Sequence, residues 1–121
     1  MFTRIAYRKM TQQTFFSTSN LPWFDVEQFL GTQMLSLAEP VPGGSIHRLR
    51  MKKGTTIPVH SHPCDEYVYV LEGRVQTGQQ VCEAGTFWHT PTQVEQGPHL
   101  AITDVELLTI RLGAMGHFNG T

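Results

Sequence analysis

Between Leu21 and Leu112 the chain never keeps an apolar pattern going for more than about seven residues before a glycine or proline interrupts it. The breaks fall at Glu39-Pro-Val-Pro-Gly-Gly44, Lys52-Lys53-Gly54, Pro63-Cys-Asp65, Gly73, Gly78, Ala84-Gly85, Pro91 and Gly97-Pro98. No stretch sustains the 3.6-residue apolar period of a helix, so helix content should be small. The intervening runs are short, β-branched or alternating, as strands require. Strands are expected over 24–30, 32–38, 45–51, 56–60, 66–72, 74–77, 85–89, 99–102 and 106–112. So many short strands in one small chain need their edges paired, and one jelly-roll β-barrel does that. The fold class is therefore all-β.

At 121 residues the chain is one domain's worth and can bury a core without disulfides. Residues 1–20 are polar and aperiodic, ending in Ser17-Thr18-Ser19-Asn20, and read as an N-terminal arm or disordered segment. Residues 21–121 are the barrel domain. Met10 is an alternative to Met1 as the translation start. The formal net charge is -1, without a block of like charges, which argues against nucleic acid and anionic membranes as partners. No apolar run approaches a membrane span, and Thr11, Gln12, Gln13 and Thr14 stand where a secretory signal would need its apolar core. Cys64 and Cys82 are too few for a disulfide framework, and free thiols suit a reducing compartment. A cytoplasmic location is expected.

Chemistry concentrates in Gly54-Thr-Thr-Ile-Pro-Val-His60-Ser-His62-Pro-Cys-Asp-Glu66-Tyr-Val-Tyr-Val-Leu-Glu-Gly73. Two histidines one residue apart project from one face of a strand, and a carboxylate follows four residues later. Neutral imidazoles with one carboxylate form a mixed nitrogen and oxygen donor set for a divalent transition metal. An isolated His-x-His would be an ordinary pair of polar strand residues, and Glu66 alone an ordinary carboxylate at the start of a strand. Asp65 and Cys64 read as turn residues. His47 and His117 belong to no ligand spacing.

The spacing of Gly54, His60, His62, Glu66 and Gly73 resembles the first of the two signatures of the cupin superfamily, RmlC-like jelly rolls. The resemblance extends from about Leu21 to Leu112, through Leu21-Pro-Trp23, Leu35-Ser-Leu37 and Ile46-His-Arg-Leu49-Arg-Met-Lys-Lys-Gly54. Two groups are most similar: cupin domains of ChrR-type anti-sigma factors, and small dioxygenases of the acetylacetone-cleaving kind. The second cupin signature implies one further histidine ligand. Glu83-Ala-Gly85-Thr-Phe-Trp-His89-Thr-Pro91 and the following Gly97-Pro98-His99 offer both His89 and His99, and His99, opening the penultimate strand, is the better match. It follows Pro91 by eight positions rather than the usual five. That implies a lengthened loop, Thr92–Pro98, beside the site.

The implied metal ligands are His60, His62, Glu66 and His99, with Glu66 also a candidate catalytic base. Four ligands leave two adjacent octahedral positions open for substrate or dioxygen. Fe(II) is narrowly preferred, with Zn(II) or Mn(II) as alternatives. Candidate pocket-wall residues are Arg48 or Arg50, Val68, Phe87, Gln96 and Ile110, whereas Trp23, Phe24 and Trp88 read as core or dimer packing. The expected activity is a dioxygenase acting on a small enolisable carbonyl compound. The alternative is a non-catalytic sensory cupin of the ChrR kind, although residues 1–20 hold no His or Cys for the metal-binding helical domain of such regulators. A homodimer is expected, with Trp23-Phe24 extending along a neighbour's sheet edge.

Overall fold

The computed structural model describes residues 8–118. Its twelve strands are β1 (Phe24–Asp25), β2 (Thr32–Ala38), β3 (Ser45–Met51), β4 (Thr56–Ile57), β5 (His60–Ser61), β6 (Glu66–Glu72), β7 (Arg74–Thr77), β8 (Gln80–Glu83), β9 (Phe87–Thr90), β10 (His99–Ala101), β11 (Val105–Arg111) and β12 (His117–Phe118). A six-stranded sheet, β1-β2-β3-β11-β6-β9, faces a four-stranded one, β4-β10-β7-β8, and β12 pairs with β5 as a separate ribbon. Every pairing is antiparallel. This is the expected jelly roll. The only described helix is one 3-10 turn, Thr18–Asn20, and no described helix is long and apolar enough to cross a membrane.

β2, β3, β6 and β7 have the bounds their alternation predicts. The strand expected over 24–30 instead stops at Asp25. Val26 and Phe29 close a turn, with Phe29 N–H donating to the Val26 carbonyl at 3.0 Å, and Gly31 at φ +89° turns the chain into β2. β8 was not expected, because Gln79-Gln80-Val-Cys-Glu83 offers too short an apolar alternation; its ladder to β7 (Val75 opposite Cys82) supplies what local pattern lacks. Residues Arg8–Ser17, in the expected arm, are exposed.

The inner face of the large sheet is graded. Across β3, β11 and β6, one rung reads Ser45, Arg111, Glu66; the next reads His47, Thr109, Val68; the next Leu49, Leu107, Val70. The barrel is thus polar at one end and apolar further in. Met51, Ile57, Val68, Val70, Val75, Cys82, Ala101, Val105 and Leu107 form the buried core, with Phe29, Leu49 and Trp88 packed against it. Burying each Met, Ile, Leu or Val among them stabilises the fold by about 1.5–3 kcal/mol, so the apolar half can carry the barrel while the other half holds polar groups.

Two glycines of the metal motif do different work. Gly54 turns at φ +88° in open space, whereas a Cβ on Gly73 (φ +83°) would lie 2.0 Å from the Asp104 carbonyl oxygen. Gly54→Ala should therefore cost only the left-handed strain, about 1–2 kcal/mol. Gly73→Ala adds a backbone clash of about 1–3 kcal/mol to the same strain. Urea midpoints will check the order; equal losses would contradict this packing of the β6–β7 turn on Asp104.

Candidate metal centre

His60 and His62 lie on β5 and just after it, where the chain crosses the polar end of the barrel. His60 is tied by backbone bonds to Gln96, its N–H donating to the Gln96 carbonyl at 3.0 Å and its carbonyl accepting from the Gln96 N–H at 2.9 Å. Glu66 opens β6. The donor atoms of His60, His62 and Glu66 lie within 4.8 Å of one another, and all three residues are buried.

The imidazole tautomers follow from their partners. His60 Nδ1 meets the Pro58 carbonyl at 2.8 Å, and His62 Nδ1 meets the Met115 carbonyl. A carbonyl only accepts, so both Nδ1 atoms carry the proton and, in the neutral rings, the lone pair sits on Nε2. His62 Nε2 faces the Glu66 Oε2 at 3.2 Å. A lone pair opposite a carboxylate oxygen requires a proton or a cation between them. Two adjacent ligands of one ion at roughly 2.1 Å stand about 3 Å apart, so the residues fit a divalent metal. The other oxygen, Oε1, accepts from Gln96 Nε2 at 2.8 Å, which fixes the carboxylate's orientation.

His99, on β10, stands beside the triad. Its ring centre is 5.3 Å from that of His60, and it is not one of the three residues whose donor atoms all lie within 4.8 Å of one another. Its Nδ1 is buried with no hydrogen-bond partner among the described residues. Such an orphaned nitrogen costs about 1–3 kcal/mol. His89 points elsewhere: its Nε2 bonds Asp65 Oδ2 at 2.9 Å, and its ring stacks on Tyr67 near the surface.

Several sequence expectations about the surroundings change. Arg48 and Arg50 do not line the pocket. They lie on the sheet's outer face, with Arg50 3.9 Å from the centre of the Trp23 ring and Arg48 bonded to Glu106 at 2.5 Å. Phe87 is 58% exposed and stacks on Tyr67, and Ile110 shares that outer parity of β11. Gln96 supports Glu66 rather than walling the cavity. Val68 does line it. So does Trp88, which was expected only to pack; its ring lies 5.7 Å from His99. Sequence reasoning missed Arg111 and set His47 aside. Both are buried and both line the cavity, and the strict alternation of Val105, Leu107, Thr109 and Arg111 was the available signal.

The cavity itself is about 180 Å³, and Phe29, Met34, Leu49, Val68, Trp88 and Leu107 make its apolar wall. In the metal-free chain, burial followed by the nearby His60 holds the His99 imidazole at a pKa of about 4. Burial followed by Arg111 does the same for His47, also about 4, while Ser45 Oγ holds His47 Nδ1 at 2.8 Å. Burial also lowers His60. Burial pushes the Glu66 carboxyl up, but the hydrogen bond and charge of His62, aided by Gln96, bring it below the usual carboxylate range. Burial likewise opposes protonation of His62, and Glu66 outweighs it, so His62 is raised.

A small antiparallel barrel with histidines and a carboxylate converging at one end is a cupin. The chain belongs to the ChrR cupin-like domain family, whose description matches residues 11–116. Among solved structures it is similar to an RmlC-like cupin protein from Ralstonia eutropha JMP134 (18% identity, TM-score 0.75, covering 84% of this chain and 69% of that one). It is also similar to an acetylacetone dioxygenase from Acinetobacter johnsonii (12% identity, TM-score 0.70, covering 93% and 81%). A third is the anti-sigma ChrR of Rhodobacter sphaeroides, solved in complex with SigE (20% identity, TM-score 0.64, covering 78% of this chain and 50% of that one). At these identities the likeness establishes the fold. Among curated proteins no sequence is similar enough to count as a match.

The pKa directions set a pH dependence for the metal-free protein. His47 and His99 fall from an unfolded value of 6.5 to about 4 when folded. Between those values the unfolded chain binds protons that the folded chain refuses, so stability falls as pH drops through that window. His62 has the opposite sign: its contribution is present below 6.5 and is lost as pH rises through its higher folded value. Chelator-treated protein should thus be less stable at pH 5 than at pH 7, by roughly 2 kcal/mol for each of the two depressed imidazoles. Denaturant midpoints at the two pH values decide it, and equal or greater stability at pH 5 would contradict neutral buried imidazoles.

Proposed function

We propose that the chain is a small metal-dependent oxidoreductase, a dioxygenase acting on an enolisable carbonyl compound, with the metal held by His60, His62, Glu66 and His99. The observation that carries this reading is a preorganised donor set at the wall of a small apolar cavity, which suits a reactant better than a closed structural site would. The orphaned His99 Nδ1 supports its membership of the set. A divalent metal there, Fe(II) foremost and Zn(II) or Mn(II) as alternatives, would polarise a carbonyl and, as iron, supply the redox chemistry of oxygen insertion.

The chain's own groups do the rest. The Pro58 and Met115 carbonyls hold the imidazole rings in the productive tautomer. Gln96 aims Glu66, which serves as ligand or as the base that takes the proton lost on enolisation. Phe29, Leu49, Trp88 and Leu107 exclude water and limit the reactant to a small molecule. We place the protein in the cytoplasm, on the ground that Cys64 and Cys82 are both free thiols. We also infer a homodimer, supported by the exposed Phe15, Phe16 and Leu30 and by the two-residue edge strand β1.

The second reading is a sensory cupin that binds metal or ligand without turnover, and membership of the ChrR cupin-like family favours it. Oxygen uptake separates the two. Protein purified without a metal-affinity tag should carry about one metal per chain and consume oxygen with small carbonyl substrates. Bound metal with no uptake on any of them would shift the assignment to the sensory reading. Glu66→Gln should weaken metal binding by about 10–100-fold or more; unchanged metal content would remove Glu66 from the ligand set. Light scattering at micromolar concentration should give the dimer mass, and a monomer mass would refute the association.

A further inference from the structure

The outer face of the large sheet carries apolar surface that neither the core nor the candidate metal centre uses. The outward parity of β6 presents Tyr67, Tyr69 and Leu71, and the adjoining edge strand β9 presents Phe87 and His89. Phe87 and His89 both stack on Tyr67, with ring centres 6.1 and 4.7 Å away, so the three rings form one ridge. Asp65 holds its His89 end through a 2.9 Å contact. Phe87 is 58% exposed and Tyr69 42%. Native edge strands are commonly guarded by charged residues or proline. β9, reading Phe87-Trp-His-Thr90, has neither.

The same chain carries a segment that complements this ridge. Every residue from Arg8 to Phe16 is exposed, Phe15 at 81% and Phe16 at 55%. The 3-10 turn Thr18–Asn20 follows, closed by Leu21 N–H donating to the Thr18 carbonyl at 3.1 Å and capped by Ser17. Beyond it, Trp23 lies on the outer face of β3, its ring centre 3.9 Å from the Arg50 guanidinium. The arm is therefore rooted on the side of the sheet that bears the ridge. The order β3-β11-β6-β9 puts the ridge about 10–15 Å from that root, at about 4.8 Å per strand. Charge matches as well. Residues 8–20 hold Arg8 and Lys9 and no carboxylate, whereas β6 and β9 hold no lysine or arginine, and exposed Glu72 ends β6.

We propose that the arm of each copy lies across the outer face of β6 and β9 in a second copy, with Phe15 and Phe16 packed on Tyr69, Leu71 and Phe87. A two-fold exchange, each copy giving one arm and receiving one, closes the assembly at two chains. This rests on the homodimer inferred above and names the surface that makes it. β6 also presents Glu66 and Val68 to the cavity, so the contact and the candidate metal centre share a strand.

Sedimentation equilibrium on the full chain tests this. Wild type should be dimeric at micromolar concentration. Phe15→Ser with Phe16→Ser, and separately Phe87→Ser, should each raise the dissociation constant about tenfold or more. Because the two sets touch, combining them should raise it by less than the product of the separate effects. All three residues are exposed, and circular dichroism will check that the variants stay folded. In dimers mixed from isotope-labelled and unlabelled copies, nuclear Overhauser effects should join Phe15 or Phe16 of one copy to Phe87 of the other. A monomeric wild type would refute the homodimer and the arm exchange together. A dimer that F87S leaves within about twofold of wild type would keep the homodimer and overturn this surface, and Leu30→Ser would then test the β1 edge in its place. Overhauser effects confined to one copy, or fully multiplicative effects of the two sets, would likewise overturn the exchange.

Discussion

A carboxylate buried inside a barrel has to be met by donors or positive charge, and the arrangement around Glu66 meets that demand at both of its oxygens. Gln96 donates to one oxygen, His62 faces the other, and Arg111 stands beside it across the sheet. The two hydrogen-bonding partners come from different parts of the chain, the loop before β10 and the segment after β5, and the end of β11 lies alongside in the ladder. Meeting the charge of Glu66 therefore draws these segments to one end of the barrel. The loop 92–98 doubles as a ladder partner for β5 through Gln96 and His60, so the ligand-bearing segment is braced by the residue that orients the carboxylate.

The grading of the inner face explains how a chain of this size tolerates so many buried polar groups. Leu49, Leu107, Val70 and Met51 sit toward one end and need no compensation. Toward the other, Ser45, His47, Thr109, Arg111 and Glu66 are buried where a reactant would lie. The segment after β11 closes this end: the Met115 carbonyl reaches His62, and β12 pairs with β5. The C-terminal segment thus supports a candidate ligand from outside the cavity.

Much of this was legible in the sequence. Period-two alternation gave β2, β3 and β6 their bounds, and the Gly54 to Gly73 spacing located the triad. What escaped were features decided by non-local partners. β8 depends on its ladder to β7, and 26–31 turns because Val26, Phe29 and Thr32 bond one another. Arg48, Arg50 and Arg111 all lie in alternating strands, and alternation alone does not say which parity faces inward until the register of β3 with β11 is known. Trp23 stacking on Arg50 marks the outer face; it is a contact between residues 27 positions apart that no local pattern contains.

The central claim is that three imidazoles and one carboxylate converge on a single ion. X-ray absorption fine structure on the protein loaded with one equivalent of zinc tests it most directly, because imidazole rings leave a distinctive multiple-scattering signal. The account predicts three imidazole nitrogens and one carboxylate oxygen at roughly 2.0–2.2 Å. Two imidazoles with a carboxylate would leave His99 as a neutral neighbour, and a signal without carboxylate oxygen would contradict the role given to Glu66.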